Sequence, residues 1–285
     1  MTTAPSPTGV SPVQPRTSGL EFSSLWTLFA LTLRQFLRGK RLLVLALLSL
    51  VPAGFAVLLR CLDDRQGATP RELEFGILFF LVPHVLLPLT ALLYGCGMIL
   101  DEQEEQTLTY LLIRPLPKWA LYLTKLLATT CMVWLLGLVF VVVSYLAIYV
   151  GSSQFLDVFP LKMLGTFGVM ALALAAYAAV FGLLGLVVKW STVVGVVYIA
   201  VIEGLLANLD FAVRKLTVNY YFRVLSLHWL NLDPKLSQEW SIQLSDAPGA
   251  LACVLTLLFV IALTTFLAAL VFSGREFYVK TPEGN

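Results

Sequence analysis

The sequence predicts an all-α membrane protein with six transmembrane helices, an N-terminal interfacial amphipathic helix, and both termini in the cytoplasm. Of 285 residues, 59% are hydrophobic and only 13% are charged, which is far from the averages of soluble proteins. The hydrophobic residues form long runs without the period-two alternation of membrane β-strands, so helices are expected. The formal net charge of +2, with scattered basic residues, argues against nucleic-acid binding.

Six hydrophobic runs are long enough to cross a bilayer, whose core of about 30 Å needs roughly 20 helical residues. They belong to one membrane domain over residues 21–280, and residues 1–20, rich in Pro, Ser and Thr, are predicted to be a disordered tail. The third run exceeds one crossing and is expected to tilt or to project from the bilayer. The predicted spans cover residues 42–60, 75–100, 119–150, 161–188, 192–209 and 248–273.

Basic residues ahead of the first span set the predicted orientation. Arg34, Arg38, Lys40 and Arg41 precede that span, and the positive-inside rule places such a cluster in the cytoplasm. Six crossings return the C-terminus to the same side, and the cell (inner) membrane is the expected location. Lys125, one to two turns into the third run, is expected to snorkel to the cytoplasmic headgroups.

Residues 21–38 have the pattern of an amphipathic helix. One half of the helical wheel is apolar, and Ser23, Thr27, Arg34 and Arg38 lie opposite. Such a helix is expected to lie in the cytoplasmic interface. The alternative is a helix buried by soluble partners. The apolar half contains Leu25, Trp26, Leu28, Phe29, Leu33, Phe36 and Leu37.

An acidic stretch separates the second and third spans. Four carboxylates occupy positions 101–105, and each is too costly to place in hydrocarbon, so this segment must lie at or beyond the headgroups. Asp101 is predicted to cap a new helix, with Glu104 three positions later as in a capping box. Leucines then form an apolar stripe, and Pro115 with Pro117 ends the helix. The alternative is a solvated loop with ordinary caps.

This stretch resembles the cytoplasmic signature of ATP-binding-cassette (ABC) permeases of the type-two exporter family. In that signature, acidic residues precede Gly-Thr-Leu, a Leu-Leu pair, a Pro and a basic residue, with a Lys further on. Gln106 stands where the family usually has Gly, and Pro117 stands beside the basic position. Together with the predicted spans, the resemblance covers about residues 21–280. The matching residues are Glu102, Glu104, Glu105, Thr107, Leu108, Leu111, Leu112, Pro115, Lys118 and Lys125.

The resemblance implies that residues 101–118 form a coupling helix that docks into a groove of a separate ABC ATPase subunit. It also implies a second permease copy or homologue and ATP-driven movement of an unidentified substrate. The sequence contains no G-x-x-x-x-G-K-[ST] motif, so ATP and Mg are expected on the partner ATPase and no cofactor on this chain. The implied ATPase interface comprises Glu102, Glu104, Glu105, Thr107, Leu108, Leu111, Leu112, Arg114, Pro115 and Lys118.

Two ionisable residues within the predicted spans are candidates for the translocation path. His84 lies between Pro83 and Pro88, where the prolines free backbone carbonyls. Glu203 lies roughly 16 Å along the fifth span, close to the bilayer centre. For each, the alternative is a side chain that only fastens neighbouring helices.

Two further patterns concern helix packing and the outer side. Small residues recur at three- and four-residue steps from Gly165 to Gly185, which predicts a close helix contact within the chain or with a second copy. Residues 210–247 form a long outer loop whose aromatic residues, interrupted by Arg223 and His228, suit an interfacial or partly re-entrant segment. A gate for substrate release and a simple aromatic anchor are both compatible with it.

The sequence offers little for enzymatic chemistry. It has two histidines without H-E-x-x-H, no G-x-S-x-G and no paired intramembrane aspartates. Its four cysteines lack C-x-x-C spacing, which argues against a disulfide framework or a metal site. The alternative function is a membrane scaffold that recruits a soluble partner through the acidic helix without transport.

Overall fold

The computed structural model describes residues 22–62, 70–104, 117–150, 161–208, 212–230, 240, 242 and 247–274. All regular secondary structure in these ranges is helical, as predicted. Two of the helices are partly wound as π-helices, over Phe75–Leu86 and Ile199–Leu205. The helices are α1 (Phe22–Arg38), α2 (Lys40–Leu62), α3 (Pro70–Glu74, Phe75–Leu86 and Leu87–Glu104), α4 (Lys118–Tyr149), α5 (Leu161–Val187), α6 (Ser191–Tyr198 and Ile199–Leu205), α7 (Val218–Trp229) and α8 (Ala250–Gly274).

Five of the described helices, namely α2, α3, α4, α5 and α8, are long and apolar enough to cross a membrane. They coincide with five of the predicted spans. The predicted span 192–209 is instead the shorter apolar helix α6, followed by a 3-10 turn at Leu206–Asn208. A second 3-10 turn, Ala212–Leu216, then precedes α7. The last part of this predicted span is therefore not regular α-helix, and α6 is shorter than the predicted span.

The core lies where α3, α4, α5 and α7 pack together. Each of these helices contributes a large aromatic side chain that is at most 1% exposed: Tyr94, Phe140, Tyr177 and Phe222, in that order. By contrast, α2 and α8 keep most of their apolar side chains on the outside of the chain. Apolar surface of this extent suits contact with lipid rather than with water.

The small residues of α5 pack against α3 of the same chain. A Cβ atom at Gly185 would lie 2.9 Å from both the Cα and the carbonyl oxygen of Cys96. One at Gly95 of α3 would lie 3.0 Å from Cβ of Phe181. Only glycine permits backbones to approach this closely. At Gly95 and Gly185 the close contact thus lies within the chain, one of the two alternatives that the sequence left open.

Contacts between helix ends show which ends share a face of the helix bundle. Arg41 at the start of α2 forms an ion pair with Asp101 near the end of α3. Lys118 at the start of α4 donates to the carbonyl oxygen of Ser273 at the end of α8, at 3.4 Å. Lys125 of α4 reaches the backbone of α3 near Asp101. The starts of α2 and α4 and the ends of α3 and α8 thus lie at one end of the bundle.

Candidate functional site

The acidic stretch begins inside α3 rather than in a new helix. The α-helix Leu87–Glu104 continues through Asp101, so the prediction that Asp101 caps a helix is wrong. Glu102 and Glu104 belong to the same last turn. A cap bonds the unpaired N–H groups at the start of a helix, and Asp101 lies near the end of one instead. The other predicted interface residues, Glu105, Thr107, Leu108, Leu111, Leu112, Arg114 and Pro115, lie outside the described residues.

Asp101 is held by a two-pronged ion pair with Arg41. The guanidinium Nη1 and Nη2 atoms donate to the two carboxylate oxygens at 2.6 and 2.8 Å. Nη1 also lies 3.4 Å from the carbonyl oxygen of Leu93, which is on the same face of α3 as Asp101. A planar guanidinium matches a carboxylate in this way, whereas a lysine ammonium does not. The pair joins the first span to the end of the second, at the first residue of the predicted coupling segment 101–118.

Two lysines mark the start of α4, on the other side of the acidic stretch. Lys118 is the first residue of α4, directly after Pro117, and its ammonium donates to α8. Lys125 is fully buried, and its Nζ donates to the carbonyl oxygen of Met98 at 3.3 Å. The prediction that Lys125 snorkels to the headgroups is therefore wrong. A carbonyl has two lone pairs, so α3 offers the ammonium a partner inside the bundle.

His84 lies in the π-helical part of α3 and connects it to α7. Its Nδ1 lies 2.7 Å from the carbonyl oxygen of Phe80, and its Nε2 is hydrogen-bonded to the Arg223 guanidinium. A carbonyl only accepts and a guanidinium only donates. Both bonds therefore fit a neutral imidazole that carries its proton on Nδ1 and accepts at Nε2.

Arg223 is the buried charge that His84 meets. Only 3% of the residue is exposed, and its guanidinium lies over the Trp240 ring, 5.7 Å from the ring centre. Nη1 is 3.5 Å from the carbonyl oxygen of Ala207. Burial lowers the pKa of Arg223 to about 10, so the side chain stays protonated at neutral pH. Its position between α3 and the turn after α6 ties both elements to α7.

Glu203 is buried and caps α7 from a neighbouring helix. Its Oε1 and Oε2 accept from the backbone N–H groups of Val218 and Asn219, at 3.1 and 3.0 Å. Thr217, at the N-cap position, accepts from the N–H of Tyr220 through its own side chain. The first N–H groups of a helix have no partner within it, and the helix dipole favours negative charge there. This geometry matches the alternative in which Glu203 only fastens neighbouring helices.

The two candidate path residues thus meet the same element without touching each other. His84 holds α7 through Arg223, and Glu203 holds its first turn. Within the predicted outer loop, α7 is buried among the spans, with Phe222 and Arg223 almost fully enclosed. Trp229 is the one exposed residue of α7. The aromatic composition therefore reflects core packing here more than anchoring at an interface.

A second buried carboxylate, which the sequence analysis missed, lies at the opposite end of α3. Glu74 accepts from the hydroxyls of Tyr145 and Tyr149 at 2.9 and 2.6 Å, and from Lys162 at 2.7 Å. It is only 2% exposed. In the sequence, Glu74 is recognisable only as an acid directly before a hydrophobic run. Its partners come from two other helices and could not be read from that pattern. Within the described ranges, no three His, Cys, Asp or Glu side chains are placed to bind a metal ion.

Comparison with protein families identifies the chain. Residues 26–214, more than half of the sequence, match the model of the ABC-2 family transporter proteins. The chain belongs to this family. As an ABC-2 permease it is a multi-pass membrane protein of a transport system. The matched region includes the whole acidic stretch, His84 and Glu203, and it ends before α7. A search of curated proteins found no significant match.

Proposed function

We propose that this chain is the transmembrane subunit of an ABC exporter. It couples ATP hydrolysis by a separate ATPase subunit, which binds ATP and Mg, to movement of a substrate across the cell (inner) membrane. The observation that carries the proposal is the family match over residues 26–214, which contains the acidic stretch between the second and third spans. ABC ATPases act in pairs, so the functional unit contains a second copy of this chain or a homologue.

Six crossings with both termini in the cytoplasm are part of the proposal. The start of α4 and the end of α8 are neighbours through Lys118, while α5 returns to the same end beside Cys96. The chain between α5 and α8 must then cross once more, and α6 is the apolar segment available. At about 1.5 Å per residue, residues 191–205 extend about 22 Å. The 3-10 turn at Leu206–Asn208 and local bilayer thinning supply the rest.

The contact with the ATPase is proposed to involve residues 101–118. Carboxylates of this segment face a basic groove, and its leucine stripe is buried against the partner. The ion pair of Arg41 with Asp101 and the contact of Lys118 with α8 support this placement, because they bring the flanks of the segment to one end of the bundle. When two ATPase subunits close, the movement is passed to the spans through this segment.

The residues around α7 have a fastening role in this proposal. His84, Arg223 and Glu203 hold α7 at the end of the bundle away from the ATPase, where it covers the outer side of the path. Access to the path then changes when the spans move around α7, and none of the three side chains needs to bind substrate.

Charge reversal of the acidic segment tests the proposal. The chain is co-expressed with a candidate ABC ATPase subunit and purified in detergent. Glu104→Lys with Glu105→Lys is expected to leave membrane insertion intact and to reduce the amount of ATPase retained, because a basic groove now meets positive charge. Glu72→Lys, a charge reversal at an exposed residue of the opposite end of α3, is the control. Equal retention by the double variant and the control would remove the coupling role from these residues.

A further inference from the structure

The side chain of Arg41 joins the start of α2 to the end of α3. The Arg41 guanidinium lies along one stripe of α3, where Leu93, Gly97 and Asp101 follow each other at four-residue steps. It contacts the carbonyl oxygen of Leu93 and both carboxylate oxygens of Asp101. Three contacts to one stripe fix the guanidinium along α3 as well as across it.

Gly97 makes room for this guanidinium. A Cβ atom at Gly97 would overlap Nη1 of Arg41 and would lie 3.1 Å from Oδ2 of Asp101. Any residue other than glycine at this position therefore displaces the Arg41 guanidinium from its position beside Asp101. The glycine is not needed for an unusual backbone, because it lies inside the regular helix Leu87–Glu104. Its lack of a side chain serves the ion pair, and we call Arg41, Gly97 and Asp101 the α2–α3 clamp.

The clamp contributes more to the relative position of α2 and α3 than to the stability of the fold. The side chains of Arg41 and Asp101 are 44% and 28% exposed, and ion pairs with this degree of solvent access stabilise proteins only slightly. The forked geometry, however, restrains distance and orientation together. It does so one residue before Glu102, the first residue of the predicted ATPase interface.

We propose that the α2–α3 clamp makes the first span move with the cytoplasmic end of the second span, so that movement of the ATPase-bound segment reaches α1 and α2. Arg41 and Asp101 are then positioning residues for coupling. This proposal rests on the proposed function, since it presupposes an ATPase that pulls on residues 101–118. Without the clamp, α3 moves alone and ATP hydrolysis by the complex loses its response to the permease.

The glycine provides a test that changes no charge. ATP hydrolysis is measured for the complex of the chain with its co-purified ATPase in lipid vesicles, relative to the ATPase alone. Arg41→Ala and Gly97→Ala are each expected to lower the stimulated rate about 2- to 30-fold, the usual range for residues that carry coupling. The double variant should equal Arg41→Ala, because Gly97→Ala acts through the displaced guanidinium. Gly54→Ala in α2, where a Cβ meets nothing within 4 Å, is the matched control.

A cross-link tests joint movement directly. In Arg41→Cys/Asp101→Cys, a short bifunctional thiol reagent should restore the stimulated rate, while the unlinked pair should be as slow as Arg41→Ala. Loss of the remaining activity on cross-linking would show that the two helix ends move apart and would overturn the proposal. So would wild-type rates in Gly97→Ala or additive effects in the double variant.

The outcomes separate the clamp from the proposed function. If the unaltered chain retains no ATPase, or does not stimulate it, both proposals fail. If the unaltered complex is stimulated and Gly97→Ala behaves like Gly54→Ala, only the clamp fails. Retained ATPase and thermal unfolding are measured for every variant, because a purely structural role would lower both along with the rate.

Discussion

Buried carboxylates in this protein are used as acceptors that join helices. Glu203 accepts from the N–H groups of Val218 and Asn219, and Glu74 accepts from two tyrosines and a lysine on other helices. A carboxylate in an apolar interior is costly unless its lone pairs are filled. Both residues meet that condition, which makes a structural role sufficient to explain their presence.

Glu203→Ala is expected to lower the thermal unfolding temperature of the detergent-solubilised protein. The change leaves two buried N–H groups at the start of α7 without acceptors, which costs about 1–3 kcal/mol for each unsatisfied group. Tyr198→Phe is the control, because the hydroxyl is 3.5 Å from Oε1 of Glu203, at the limit of a hydrogen bond. An unchanged unfolding temperature together with a lost ATPase response would instead make Glu203 a residue of the path.

The sequence places His84 and Glu203 in apolar helices, as the structure does, but it does not reveal their partners. His84 and Glu203 were recognised because ionisable residues in apolar runs are rare. Their common partner element, α7, lies in a separate segment of the chain, and no periodicity relates position 203 to position 218. The prediction that Asp101 caps a helix is wrong for a related reason. Its local sequence fits an N-cap, but Arg41, sixty positions away, holds the carboxylate in the middle of a helical turn.

Among the helices, the close contact of α5 with α3 organises the bundle. Helix α5 is the most buried of the five candidate spans, and its Gly185 lies against the backbone of α3. Without a hydrophobic driving force between helices in lipid, close backbone packing is a main source of their association. The position of α3, and with it the acidic segment at its end, thus depends on small residues in α5.

Gly185→Ala is expected to separate α5 from α3. The new methyl group would lie 2.9 Å from backbone atoms of Cys96, which cannot rotate away, and overpacking of this kind costs about 1–3 kcal/mol. Gly168→Ala on the same helix meets nothing within 4 Å and is the matched control. Thermal unfolding in detergent should give a lower midpoint for Gly185→Ala only. Equal midpoints for both variants would contradict the packing described for α5.

The positions of the long helices could be predicted from hydrophobicity, whereas irregular winding could not. Five predicted spans agree with helices in the structure because length and apolar composition suffice to define them. The last part of the run 192–209 departs from this rule, since its hydrophobicity is retained while its winding changes to π-helix and then to a 3-10 turn. The small-residue stripe of α5 was also visible in the sequence, but the choice of partner needed the structure.

The molecule as a whole has two ends with different chemistry. One end gathers Arg41, Asp101 and Lys118 around the flanks of the acidic segment. The other end carries Glu74 with its tyrosine and lysine partners. The spans between them are covered by the apolar surfaces of α2 and α8. This difference between the two ends agrees with membership in the ABC-2 permeases. It also agrees with the proposal that an ATPase acts at the end that carries Arg41 and Asp101.

Thiol labelling from each side of the membrane tests most directly whether the acidic segment is the cytoplasmic docking place of an ATPase. A single cysteine is introduced as Thr109→Cys, with Cys61 and Cys131 changed to serine, and a membrane-impermeant maleimide is applied to right-side-out and inverted vesicles. Gly67→Cys, between the first two spans, serves as the control for the other side. We predict that position 109 is labelled only in inverted vesicles and is protected when the ATPase is bound. Labelling of position 109 from the outer side, or equal labelling with and without the ATPase, would contradict the account.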